Sequence, residues 1–399
     1  MANTNLTIDM ITREALRILV NNLGFTRNVN RQYSDEYANE GAKIGDTLRI
    51  RKPPRYTIRT GAALNVQDKT DTQVPLVLDT QAGVDVNFTS KEMTLDIDDF
   101  ADRVLQPAMA TIANKIDLDG LALYKDVFNS VGTPGTTPAT AGVLLSANEY
   151  MDDQATPRDG ERCIALNPAA NASLVDGLKG LFHASDKIDS QYKKGMMGMN
   201  TLGFKEIYMD QNVNVHTTGD YNGAHVLNGA VTDAADTATS TTLTIGTGTG
   251  TYNVGDVITI AGVNSVNPQN RQSTGKLQQF TVVTSTSTTS IAVSPAIRST
   301  GAFQTVDALP TSTAAITEVG TASTGYPQNL AYHRDAFTLG TADLLMPKGV
   351  DFASRQNYEG ISMRIVRAYD INNDQFPCRI DVLYGYKTLY GELATRVWG

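Results

Sequence analysis

Residues 255–280 read GDVITIAGVNSVNPQNRQSTGKLQQF. DVITIA, and the FTVVTST that begins at Phe280, carry the alternation of half-buried strands, and NPQN between them is turn chemistry. The same pattern extends outward, with TTLTI before this stretch and SIAVS after it. Between Val226 and Gly325 there are 23 Thr and 10 Ser against eight charged residues. The composition changes sharply on entry, and the earlier composition resumes after GYPQN. The spacing therefore predicts an all-β module, a small barrel or sandwich, inserted into a parent domain.

The whole chain sets the bounds for that parent. It has 399 residues, 41% hydrophobic and 19% charged, which is a globular composition with room for two or three cores. A net charge of -9 argues against a dedicated DNA-binding surface. No run is apolar enough for a membrane span, and MANTNLTIDM has no secretory apolar region, so it reads as a cytoplasmic start. Cys163 and Cys378 are too few and too isolated for a disulfide framework or a zinc site, and both are expected in the interior.

Three elements precede the module. Ile8, Ile11, Ala15, Ile18 and Leu19 form one helical stripe, with Asn5 or Thr7 as its N-cap and Gly24 as its C-cap. This reads as an amphipathic arm that needs a surface to lie on. LRIRKPPRYTIR (48–59) places Arg49, Arg51, Lys52, Arg55 and Arg59 in twelve positions, alternating with Leu48, Ile50, Tyr56 and Ile58. With VDVNF (84–88) it predicts a long hairpin-like arm, whose Pro53 and Pro54 would guard an exposed strand. From Asp96 to about Ser130, apolar residues at spacings of three and four predict a long helix. Asp96, Asp98 and Asp99 stand in its first turn, and Pro107 is a predicted kink. Farther on, Ser146 with Glu149 predicts a capping box, RCIALN a strand, and NPAANASLVDGLKGLF a turn and helix. MRIVRAYD and FPCRIDVLYGYKTL predict two antiparallel strands near the C-terminus, followed by LATRV.

No catalytic constellation emerges. GTGTG (246–250) lacks the helix and third motif glycine of a phosphate cradle, and STGK (273–276) lacks the rest of a P-loop. Ser190 with Lys193, and Ser273 with Lys276, have S-x-x-K spacing without the companion motifs. His183, His216, His225 and His333 are scattered without metal-ligand spacing. Asp96, Asp98, Asp99 and Asp102 could be imagined as a cation site, but the helix dipole explains the first three with nothing added. The expectation is no enzyme, no cofactor and no metal. The basic segment can be read as a solvated strand face, a nucleic-acid strip or a protein-binding arm. The last fits best, because two extensions on one chain imply neighbours.

The order of these elements resembles the Hong Kong 97-type fold of tailed-bacteriophage major capsid proteins, an α+β fold. DIDDFADRVLQPAMATIANKID (96–117) and the 255–280 stretch are similar to the coat protein family of the short-tailed phage P-twenty-two, in which a β-barrel domain interrupts the capsid fold. That resemblance implies an N-terminal arm (1–43), an extended loop (44–90) and a peripheral domain with its spine helix (91–130). It also implies an axial domain (131–223 and 326–357), an inserted barrel (224–325) and a C-terminal β segment of the peripheral domain (358–399). It implies hexamers and pentamers closing into an icosahedral virion shell in the bacterial cytoplasm. The partners would be copies of itself, a scaffolding protein, a portal protein and encapsidated DNA bound without sequence specificity, with no membrane. The five cations would dock on Asp98, Asp99 or Asp102 of the next subunit, while Asp233, Asp236 and Arg298 would make contacts between capsomers. The alternative function is a β-rich surface or adhesion protein whose Thr/Ser module binds glycans.

Overall fold

The computed structural model describes residues 8–31, 47–64, 66–69, 71–89, 106–178, 199–350, 352–358 and 361–399. Helices α1 (Ile8–Asn22) and α2 (Phe25–Asn28) come first, then strands β1 (Thr47–Lys52), β2 (Thr72–Val77) and β3 (Thr80–Thr89). Helix α3 (Gln106–Leu121), a 3-10 turn (Ala122–Asp126), β4 (Ser130–Val131), α4 (Ala141–Asp153), β5 (Arg162–Leu166) and α5 (Pro168–Leu178) follow. Next are β6 (Met199–Thr201), β7 (Phe204–Met209), β8 (Val215–Thr217), β9 (His225–Val226), β10 (Thr241–Thr244) and β11 (Val257–Val266). The module continues with β12 (Ser273–Ser287), β13 (Ser290–Ser294) and β14 (Ala315–Glu318). The last strands are β15 (Gly325–His333), β16 (Phe337–Ala342), β17 (Phe352–Tyr358), β18 (Ile361–Arg367), β19 (Gln375–Thr388) and β20 (Ala394–Trp398). The chain divides into two compact units.

One unit holds residues 1–50, 75–120 and 337–387. Its sheet runs β16-β19-β18-β17, with β3 paired antiparallel to β19 from Thr89↔Gln375 to Thr80↔Tyr384. The register turns Val84 and Val86 to the more buried side, as the alternation requires. Gly385 permits this crossing, because a Cβ there would lie 1.9 Å from the Val77 carbonyl oxygen. On α3, Met109, Ile112, Ala113 and Ile116 form the buried face.

The N-terminal helix departs from expectation. It lies on β17 and β18 of its own unit, burying Thr12, Ala15, Leu16 and Leu19 completely. Gly24 is not a left-handed cap; its φ is -97°, and it leads straight into α2. The buried Asp117 carboxylate fixes that corner, accepting from Gly24 N (2.7 Å), Thr26 N (3.0 Å) and Thr26 Oγ1 (2.6 Å). The N-caps proposed at Asn5 and Thr7, the acidic turn with Asp98, Asp99 and Asp102, and His183 lie outside the described residues.

The other unit holds residues 51–74, 121–336 and 388–399. Its parent sheet runs β4-β20-β15-β5-β7-β6, with β5 and β7 parallel and β8 joined to β15. Leu144, Ala147 and Met151 bring α4 onto the same core as Ile164, Leu166 and Val397. The inserted module is a six-stranded sheet in the order β10-β13-β12-β11-β14-β9. A bridge from Leu227 to Ile245, just beyond β9 and β10, joins its first and last strands and closes it around Phe280, Ile258, Ile291 and Ile297.

Several boundaries move. The long helix stops at Leu121 and its 3-10 extension at Asp126; Val127 is extended, and Ser130–Val131 pairs in parallel with β20. Ser146 and Glu149 lie inside α4, whose N-cap is Thr140, so they form no capping box. The basic limb and VDVNF do not form one hairpin: β1 pairs with β2, while β3 belongs to the five-stranded sheet. Residues 337–357 group with that sheet, and 388–399 with the parent sheet, because β16 and β17 pair in one and β20 in the other.

Candidate self-association surfaces

The alternation of the basic segment holds only through β1. Leu48 and Ile50 are buried there, while Arg49 and Arg51 are exposed and make no ion pair among the described residues. Pro53 and Pro54 then end the strand instead of guarding it, since neither can donate to a ladder. Beyond them Tyr56 and Ile58 are exposed rather than core-facing.

The five cations are not equivalent. Lys52 Nζ stands 4.7 Å from the Tyr390 ring centre, and burial holds its ammonium below the usual lysine range. Arg55 Nη2 donates to Glu392 Oε1 at 2.9 Å, with its guanidinium 5.8 Å from the Phe303 ring centre. Arg59 donates to the Gly61 carbonyl beside it and remains exposed. Lys52 and Arg55 thus have partners within the chain, whereas Arg49, Arg51 and Arg59 present charge outward. Tyr390, Glu392 and Phe303 are partners that sequence reasoning missed. They lie more than 200 positions away, and no local pattern marks them.

The segment after the prolines is held without a ladder. Gln67 grips Thr57 in both directions, its Nε2 donating to Thr57 O at 2.6 Å and its Oε1 accepting from Thr57 N at 2.7 Å. Arg271 Nη2 donates to Tyr56 O at 2.6 Å. The tip so formed presents Ile58, Leu64 and Val66 at 91%, 82% and 77% exposure. Three exposed aliphatic side chains thus stand on one excursion of the chain.

Arg298 is held within its own module. It is buried, and its guanidinium donates to Ala235 O (3.1 and 2.6 Å) and to Ala238 O of its own module. Asp233 accepts from the Ser299 backbone N–H, and from Ser299 Oγ at 3.1 Å. Both residues shape the 233–238 loop. Asp236 alone of the three is exposed without such a bond.

A cleft of about 600 Å³ lies beside α4, with Asn148, Glu149, Asp152, Arg162 and Phe204 in its walls. Its carboxylates are engaged. Asp152 pairs with Arg158 and, at 2.8 Å, with Arg162, and the Arg158 hydrogen bond leads in holding its carboxyl below the usual range. Lys276 reaches Glu149 and Asp153 at 2.7 Å each. Burial pushes the Cys163 thiol up to about 12 and the Cys378 thiol to about 11, which leaves neither as a thiolate nucleophile near neutral pH. His216, His225 and His333 are buried, each beside a carboxylate (Asp256, Glu318 and Asp159), and no metal-ligand cluster occurs among the described residues.

A family model described as "P22 coat protein - gene protein 5", the coat family of phage P-twenty-two, matches residues 1–395. No curated protein sequence matches. Among solved structures, one from Mycobacterium phage Che8 is similar over 94% of this chain and 90% of its own, at 13% identity and a TM-score of 0.47. The mature capsid of bacteriophage PhiM1 is similar over 89% and 82%, at 10% identity and a TM-score of 0.42. The CUS-3 coat protein I-domain aligns 97% of its length with 25% of this chain, at 29% identity and a TM-score of 0.21.

Proposed function

The chain belongs to the P22 coat protein family, and from that premise we propose how this major capsid protein builds its shell. The family match over residues 1–395 is the observation that carries the reading. The subunits form hexamers and pentamers that close into an icosahedral shell around double-stranded DNA. Assembly takes place in the host cytoplasm with a scaffolding protein, around a portal protein. The net charge of -9 supports weak, sequence-independent contact with the packaged DNA, which must enter and leave. The family match gives no support to a glycan-binding adhesin, and a coat protein is a structural rather than a catalytic molecule.

Residues 44–90 act as the extended loop that reaches over an adjacent subunit. Arg49, Arg51 and Arg59 offer it charge, and Ile58, Leu64 and Val66 offer it apolar surface. Acidic residues including Asp98, Asp99 and Asp102 are the proposed receptors on the neighbour. The inserted module lies on the outer face, with Asp236 available to a neighbouring capsomer. Co-expression with the scaffolding protein, followed by gradient sedimentation and electron microscopy, tests the reading. Closed hollow shells are expected; a folded chain that stays monomeric with scaffold present would overturn it.

A further inference from the structure

A module inserted through two adjacent connectors would swing on them unless other contacts fixed its direction. The connectors here run side by side, with Thr218 N donating to Thr324 O and Ser323 N to Gly219 O. Beyond that root, further contacts join β12 and the adjoining loop to the parent fold. Innermost is Arg396 of β20, fully buried. Its Nε donates to Val127 O at 2.7 Å and its Nη2 to Lys125 O at 3.3 Å, both on the parent side. Its Nη1 donates to Gly255 O at 2.6 Å and its Nη2 to Thr281 Oγ1 at 2.9 Å, both in the module. Thr281 Oγ1 in turn donates to Lys125 O at 2.8 Å. The guanidinium lies 5.3 Å from the Tyr124 ring centre.

Tyr124 continues the chain of contacts. Its hydroxyl is 3.1 Å from His216 Nδ1, and His216 Nε2 is 2.8 Å from Asp256 Oδ1. A neutral imidazole satisfies both, with Nε2–H donating to the carboxylate and Nδ1 accepting from the phenol. Asp256 Oδ2 accepts from Gly219 N and Asn253 N, tying the network back to the connector. Farther along β12, Gln279 Nε2 donates to Ser130 O at 3.0 Å while its Oε1 accepts from Ser130 N, as a strand neighbour of β4 would. At the far end stand the Lys276 ion pairs with Glu149 and Asp153. Such a line of contacts leaves the connectors no free axis.

We propose that Arg396 is the positioning residue that fixes the inserted module on the parent sheet, so that the two move as one body through assembly. A buried arginine has no cheap alternative state. Its donors are matched to carbonyls from both sides, and parting the two sides would strand a cation away from water. Burial lowers its own pKa to about 10, still charged at neutral pH.

The test uses the full chain carrying spin labels at Thr137→Cys in the parent and Asp236→Cys in the module, both exposed positions; the native cysteines are buried. One narrow distance distribution is expected for the unaltered junction. Arg396→Met should widen it about twofold or more, and Arg396→Lys less, while amide exchange in β11 and β13 stays within about threefold. If Arg396→Met does not fold, Thr281→Val with Gln279→Ala cuts the same junction from the module side and should widen the distribution likewise. An unchanged width in whichever variant folds overturns the proposal. So does widening matched by an equal loss of protection in the module core, which would mark general destabilisation.

Discussion

Replacing Arg49 and Arg51 together by glutamate separates assembly from folding more cleanly than any change at Lys52 or Arg55. Both side chains are exposed on β1 and have no ion pair among the described residues, so the monomer should keep its stability within about 0.5 kcal/mol. In the shell, each exposed arginine–carboxylate contact contributes roughly 0–1 kcal/mol, and reversing the sign adds a like-charge repulsion of similar size. Two sites per subunit therefore weaken docking by about 2 kcal/mol, which is roughly a thirtyfold rise in the concentration at which shells form. The contact is solvent-exposed, so added salt should shrink the difference between variant and parent as the Debye length falls. Light scattering against protein concentration, at low and at high salt, measures both effects. An unchanged threshold in the double variant, with denaturation curves that coincide, refutes a docking role for these two cations.

Asp117→Ala should strip the acceptor from Gly24 N, Thr26 N and Thr26 Oγ1, destabilising the N-terminal segment by about 3 kcal/mol; limited proteolysis near residues 23–31 reads it. Arg298→Ala should raise amide exchange in residues 233–238 and still yield closed shells by electron microscopy, because its bonds lie within the module. Gly248→Ala should prevent the module from folding, seen as a lost denaturation transition. Gly248 has a φ of +89°, and a Cβ would lie 1.5 Å from the His225 ring. Asp152 has a depressed carboxyl pKa, so its stabilisation is present above the unfolded carboxylate range and is lost as pH falls through the folded value. Asp152→Asn should flatten the acid limb of stability measured against pH, and should cost stability at neutral pH by leaving the buried Arg162 short of its carboxylate.

What could be read from the chain depended on range. The module was legible because its signals are local: TTLTI, DVITIA and SIAVS each alternate within a few residues, and each is a strand. Its closure was not, since the Leu227–Ile245 bridge depends on where two short strands meet in space. RCIALN and the pair around NND were likewise strands in the expected places. The capping box failed because Ser146 and Glu149 also suit a helix interior, and Ala141–Leu145 extend the helix toward its N-terminus. The helix overran because periodicity counts an apolar residue equally in a helix or a strand, and the pairing of Ser130–Val131 with β20 depends on residues far along the chain. The partners of the candidate site residues were hidden for the same reason. Arg55 and Arg298 look alike in sequence to Arg49, yet Glu392 and the Ala235 carbonyl claim the first two from far along the chain.

Seeing which extensions are satisfied at home changes the energetics of association. An amphipathic helix at the start of the chain suggested a face waiting for a neighbour, but Ala15, Leu16 and Leu19 are already fully buried on β17 and β18. Those described apolar side chains therefore have no further area to offer a partner. The tip at 58–66 is different: three aliphatic side chains there are mostly in water, and burying each contributes about 1.5–3 kcal/mol before ordering costs are subtracted. Gln67 and Arg271 reduce those costs in advance by holding the backbone of Thr57 and Tyr56 in place. A closed shell requires contacts weak enough singly for misplaced subunits to leave, and strong enough together to persist once every neighbour is present. As the proposed docking surface, a small apolar tip flanked by solvent-screened arginines would meet both requirements, which a fully exposed helical face would not.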